Sequence, residues 1–209
     1  MFVDKNMLAE NGKKFYKFFF KHQLNSNRHW TPLSENAITY NSNNSEFEGI
    51  FFAEEDDIMN WFELGDTLVE VIFDKGHPSY ADLPDHYFIE ARKYSGKAII
   101  CGHFIPMDSD EMVEFIKAHC NITKSTLDYM QNHLIYVRAF NTLRKLWEYK
   151  YSLHGDGDRK TDEDNAAIIL RSHYRDYHDL DMTKIMLCNS FDELIMLFPE
   201  EKWNFHCPQ

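Results

Sequence analysis

The chain has 209 residues, 44% of them hydrophobic and 27% charged, with 17 Phe and 11 Tyr. Such a composition can bury a sizeable core, which excludes a disordered or low-complexity chain, and the length suits one large domain or two small ones. The 34 acidic against 22 basic side chains leave a formal net charge of -12, an acidic balance that repels phosphate and disfavours nucleic acid as a partner.

In chain order, the N-terminal MFVDKNMLAENGKKF lacks the apolar stretch of a secretory signal. FYKFFFKHQL (Phe15–Leu24) is short, apolar and aromatic and predicts a buried strand, and NSNRHWTPLSEN reads as a loop. After a turn cluster at Asn41–Ser45, GIFFA (Gly49–Ala53) predicts a strand. Four acids, Glu54–Asp57, then suit a helix N-terminus, and Ile58, Trp61 and Phe62 form one apolar stripe at helical spacing. Gly65 stands where a left-handed C-cap is expected, and TLVEVIF (Thr67–Phe73) returns to strand. A polar loop precedes FIEARKYSGKAIICGHFI, which holds two more strands, Lys97–Ile105 being the surer.

Beyond Pro106 the pattern turns helical. Asp108 and Glu111 fit a capping box, and Met112, Phe115 and Ile116 form a stripe. Thr123–Leu153 reads as one long helix of about 40 Å, with Leu127, Met130, Leu134, Val137, Leu143 and Trp147 near heptad spacing as internal core. Arg138, Arg144, Lys145 and Lys150 read as its solvated face, and Asp156, Asp158, Asp162 and Asp164 as a solvated acidic loop. Asn165–His178 predicts a further helix, and Ser190 with Glu193 a second capping box. The expected fold class is α+β: a sheet domain over residues 1–107 with a mixed or antiparallel sheet and a short helix, then a helical region over 108–209 packed on or beside it.

No apolar run approaches the ~18 residues of a membrane span, so no membrane association is expected. Cys101, Cys120, Cys188 and Cys207 have no paired spacing, which points to reduced thiols in a cytoplasmic setting. Cys101, His103, His119, Cys120, His206 and Cys207 could each ligate a metal but lack the close pairs of a zinc site, so no metal is expected.

The run Gly49-Ile50-Phe51-Phe52, Asp56-Asp57-Ile58, Trp61-Phe62, Leu64-Gly65, Val69-Glu70-Val71 and Lys97-Ala98-Ile99-Ile100-Cys101-Gly102 resembles the domain that precedes the repeats in ankyrin-repeat proteins of giant, mimivirus-type DNA viruses. That resemblance covers residues 15–107 and implies a viral protein at work in host cytoplasm or a viral factory. The C-terminal half carries no ankyrin signature or 33-residue period. A protein-interaction module, acting through the long helix or a cleft beside the sheet, with an unidentified protein partner and no cofactor, is the expected function.

GIFFAEEDDIMNWF is also similar to a segment of poly-ADP-ribose polymerases. The similarity implies an alternative, an NAD-dependent ADP-ribosyltransferase-like enzyme or its inactive descendant. In it Phe51 and Phe62 would clamp nicotinamide, His22 would hold the ribose, and Glu90 would be the acid, with Glu70 as a second candidate for that role. A carboxylate there offsets the positive charge of an oxocarbenium-like transition state. Both tyrosine hydroxyls of that family are absent, and Gln23 follows His22 where the family has glycine.

Overall fold

The computed structural model of the chain describes residues 1–21, 30–34, 37–40, 49–174 and 182–197. The chain is an α+β protein in two compact units, Met1–Asn121 and Ile122–Gln209.

Among the described residues the first unit is built on a nine-stranded sheet. Its strands are β1 (Phe2–Asp4), β2 (Phe15–Phe19), β3 (Trp30–Ser34), β4 (Ala37–Tyr40), β5 (Ile50–Glu54), β6 (Thr67–Ile72), β7 (His86–Glu90), β8 (Lys93–Gly96) and β9 (Ala98–Pro106), ordered β1-β7-β8-β5-β2-β6-β9-β4-β3. Every pairing is antiparallel. Trp30–Ser34, read from sequence as loop, pairs with β4 and forms one edge of the sheet. Pro32 hides that strand in the sequence, because proline lacks a ladder donor and is confined to edges and bulges.

One face of the sheet buries an aromatic core. Phe15, Phe52, Phe73, Tyr87 and Tyr94 meet ring to ring at centroid distances of 5.2–5.8 Å. Edge-on and offset contacts of this kind add about 0.5–1.5 kcal/mol each beyond the area they bury. The Tyr87 hydroxyl, deep in this cluster, donates to the Ala98 carbonyl at 2.8 Å, so burial leaves no orphaned group there. The short helix α1 (Lys5–Glu10), capped by Asp4, adds Leu8 to the cluster.

The opposite face is roofed over only part of its width. A 3₁₀ segment, Ile58–Leu64, lays Ile58 and Phe62 over it, and the Phe62 ring meets Phe18 of β2 at 5.6 Å. Helix α2 (Asp110–His119) follows β9, and its Phe115 packs edge-on to Tyr16 at 5.2 Å. The N-cap of α2 is Ser109, whose hydroxyl accepts from the Met112 N–H at 3.1 Å, in place of the Asp108 expected from the sequence. Gly65 is also not a left-handed cap: its φ of -177° is extended backbone. Glycine is required there by contact, since a Cβ would sit 2.2 Å from the Phe19 nitrogen.

In the second unit the expected long helix is two helices, α3 (Lys124–Tyr136) and α4 (Phe140–His154), packed against each other. The chain breaks at Arg138, whose φ is 61°, while the Ala139 N–H closes the end of α3 onto the Leu134 carbonyl at 2.8 Å. Leu127, Met130, Leu134, Leu143 and Trp147 are buried, as an internal core requires. Helices α5 (Arg159–Tyr174), α6 (Met182–Leu187) and α7 (Phe191–Met196) follow among the described residues of the unit. Ser190 caps α7 by accepting from the Glu193 N–H at 3.2 Å. Among the described residues no helix is long and apolar enough to cross a membrane.

Candidate functional site

Side chains alternate across a strand, so residues paired across an antiparallel ladder share a face. The register places Phe2 opposite Phe88, Phe88 opposite Ser95, and Ser95 opposite Phe51. These four residues form a row across β1, β7, β8 and β5 on the same face as Phe18 and Phe62. The 3₁₀ roof does not extend over them. Phe2 is 65% exposed and Phe51 39% exposed, and the Phe2 and Phe88 rings meet edge-on at 5.5 Å.

Three adjoining recesses follow this row. The first, of about 360 Å³, is lined by Phe2, His86, Phe88, Ser95 and Lys97 among others. The second, of about 300 Å³, is lined by Phe51, Phe88, Glu90, Lys93 and Ser95. The third is tight, about 20 Å³, and lies among Lys17, Phe51, Ile58, Trp61, Leu64 and Lys93. Neighbouring recesses share Phe88 and Ser95, then Phe51 and Lys93, and so make one trough with an aromatic floor.

Two features shape its inner end. The β2–β5 ladder runs only through Phe15–Glu54 and Tyr16–Ala53 and then stops. Where the strands part, the half-buried Lys17 ammonium donates to the Phe51 carbonyl at 3.0 Å. The second feature is the β7–β8 hairpin, whose two-residue turn, Ala91-Arg92, has positive φ at both positions (48° and 64°), the signature of a primed turn. Arg92 donates to Asp57 at 3.2 Å, tying that turn to the start of the 3₁₀ segment. The hairpin also aims Lys93, whose ammonium lies 4.6 Å from the Phe51 ring centre and 5.2 Å from that of Trp61. A cation between two aromatic faces is held by the ring quadrupoles.

The electrostatics follow from burial. Desolvation pulls the Lys17 ammonium down from 10.5 to about 8, against a weaker opposing pull from Cys101. Burial pushes the Cys101 thiol up to about 12, which leaves it a core residue rather than a nucleophile or metal ligand. Between about pH 8 and 10.5 the unfolded chain holds a proton at Lys17 that the folded chain does not. Lys17 therefore adds stability with rising pH from about pH 8, while above about pH 9 the Cys101 thiol, which the folded chain keeps protonated, offsets that gain. Lys17→Met should lack the Lys17 contribution, which chemical denaturation at pH 7.5 and pH 9 in both proteins measures. Equal pH slopes in the two proteins would contradict the assignment.

The sequence-predicted site residues are only partly brought together. Phe51 and Glu90 line one recess. Phe62 is fully buried beneath the roof against Phe18, so the expected Phe51–Phe62 clamp is not formed. The ring that faces the same lysine as Phe51 is its neighbour Trp61. Glu70, on β6, is half-buried outside the trough lining. His22 lies outside the described residues, as do His206 and Cys207. Among the described residues no cluster of His, Cys, Asp and Glu could hold a metal ion. Trp61, Lys93 and Lys17 were the residues that sequence reasoning passed over; the signal available for Trp61 was its place in the apolar stripe, which assigned it to the core. Comparisons of the chain with protein-family models, curated proteins and solved structures give no match.

Proposed function

We propose that the protein is a partner-binding module whose trough, from Phe2 to Trp61, takes an extended segment of another protein carrying acidic and aromatic side chains. The observation that carries this reading is the row of Phe2, Phe88 and Phe51, partly to largely exposed on one sheet face, with lysines along it. Lys17, Lys93, Lys97 and His86 line the three recesses against the single carboxylate of Glu90, a local inversion of a chain whose net charge is -12. Opposite charge steers an acidic segment to that strip, and stacking on Phe51 and Phe88 supplies contact area at small entropic cost. A nucleic acid also offers negative charge and flat rings, but a phosphate at every residue meets the acidic remainder of the surface. A cytoplasmic setting, the host's or that of a viral factory, agrees with this reading and with the giant-virus resemblance.

The test is fluorescence titration with a random Glu–Tyr copolymer, a Lys–Tyr copolymer and an oligothymidylate. The acidic copolymer is expected to bind best, and Phe51→Ala to weaken it about tenfold, the loss of one well-placed aromatic contact. Because Phe51 is exposed, that variant should melt within a degree or two of the parent. Equal binding of all three polymers, or a loss under twofold for Phe51→Ala, would refute the reading.

The transferase alternative draws support from Glu90 and Phe51 sharing one recess, and loses support from the burial of Phe62. It predicts that millimolar NAD raises the melting temperature, since a ligand of the native state alone must stabilise it. An unchanged midpoint would remove that alternative.

A further inference from the structure

We infer that the tight recess between β2 and β5 is an anchor subsite for one carboxylate side chain, Asp or Glu, of the bound segment. The inference rests on the reading of the trough as a peptide site and adds which atoms select the peptide.

Size is the first argument. A volume of about 20 Å³ is little more than a water requires. It admits one oxygen of a carboxylate and no whole base, sugar or aromatic ring.

The donors are the second. The Trp61 indole N–H is buried with no acceptor among the described residues. An orphaned buried donor costs about 1–3 kcal/mol and calls for an explanation. The chain does little to avoid it: Trp61 carries non-helical angles (φ -117°, ψ 17°) that interrupt the 3₁₀ segment at this residue. The donor is covered in the empty recess, so a shift of the Trp61 ring on binding is what lets an arriving carboxylate oxygen supply the missing acceptor.

Charge is the third. Lys93 has no carboxylate within salt-bridge range among the described residues, although Glu90 is its cross-strand neighbour. Its ammonium is instead parked over the rings of Phe51 and Trp61. Lys17, already donating to the Phe51 carbonyl, is the other cation on the lining. Charge-assisted bonds from such groups to a carboxylate are shorter and stronger than neutral ones. They favour Glu over its neutral isostere Gln.

The experiment uses the full chain, ¹⁵N-labelled, and two capped tripeptides, acetyl-Tyr-Glu-Tyr-amide and acetyl-Tyr-Gln-Tyr-amide. With the Glu peptide, the Trp61 indole N–H signal, assigned by its loss in Trp61→Phe, is expected to move downfield. The Gln peptide should bind about tenfold more weakly and leave that signal in place. Lys93→Gln should bring the affinity of the Glu peptide down to that of the Gln peptide; as Lys93 sits on the surface hairpin, circular dichroism should match the parent. Equal affinity for the two peptides, or a Trp61 signal unmoved at saturation, overturns the subsite. The two readings fail separately. If the Glu–Tyr copolymer binds through Phe51 while the tripeptides are not discriminated, only the subsite falls. If the Glu tripeptide shifts Trp61 while the copolymer does not bind, the subsite stands and the extended trough falls.

Discussion

Replacing Asp162 with Ala should destabilise the second unit by about 3–5 kcal/mol. Asp162 on α5 and Lys150 on α4 form an ion pair of 2.6 Å, each side chain 3% exposed. The same carboxylate oxygen accepts from the Tyr151 hydroxyl at 2.9 Å. Asp158 lies 3.9 Å from the Lys150 ammonium, too far to replace the lost partner in full. Truncation would leave the buried cation only the longer contact to half-exposed Asp158, and desolvation would then act on it largely uncompensated. The helical signal in circular dichroism should melt well over ten degrees lower, given about 4–8 °C per kcal/mol for a unit of this size. The double variant Lys150→Met/Asp162→Leu should recover most of the loss, because removing both charges removes the cost of burying them. A loss below about 1 kcal/mol for Asp162→Ala, or a double variant as unstable as the single one, would show that the pair is solvated in solution.

Gly65→Ala should cost about 3 kcal/mol or more and weaken trough binding along with stability. The added methyl would meet the backbone N, C and O of Phe19 at 2.2–2.4 Å. Backbone cannot rotate away as a side chain can, so either β2 or the 3₁₀ segment must move, at the upper end of the usual overpacking penalty. Those are the elements that set Trp61 against Lys93. Gly157→Ala is the control: a Cβ there meets nothing within 4 Å, and the change should stay within about 0.5 kcal/mol. Equal melting of the Gly65 variant and the parent would mean that β2 and the 3₁₀ segment part readily enough to admit a methyl group.

Much of the fold was written in local pattern. The strands at β2, β5, β6 and β9 announce themselves by β-branched and aromatic runs, and the Ser190 cap by its spacing to Glu193, because these signals depend on neighbours within one turn or one pleat. The α+β class follows from the switch of period after Pro106. What stayed hidden was non-local. No Gly or Pro marks the break between α3 and α4, where Arg138 adopts a left-handed angle. Asp162 read as a solvated acid because its partner is twelve residues away, across a turn.

The site itself shows the division most clearly. Sequence alone established that a Phe-rich strand leads into an acidic turn and an apolar segment, and so that aromatic rings gather near Phe51. Which ring faces outward was decided by tertiary structure. A stripe drawn at 3.6 residues per turn sends both Trp61 and Phe62 inward, but a 3₁₀ segment turns every three residues and kinks at Trp61. Phe18 then takes Phe62 into the core, and Trp61 is left beside the lysine that the hairpin delivers from the far strand. Periodicity encodes which residues are apolar; only the packing of one element on another selects the face that each apolar residue finally shows.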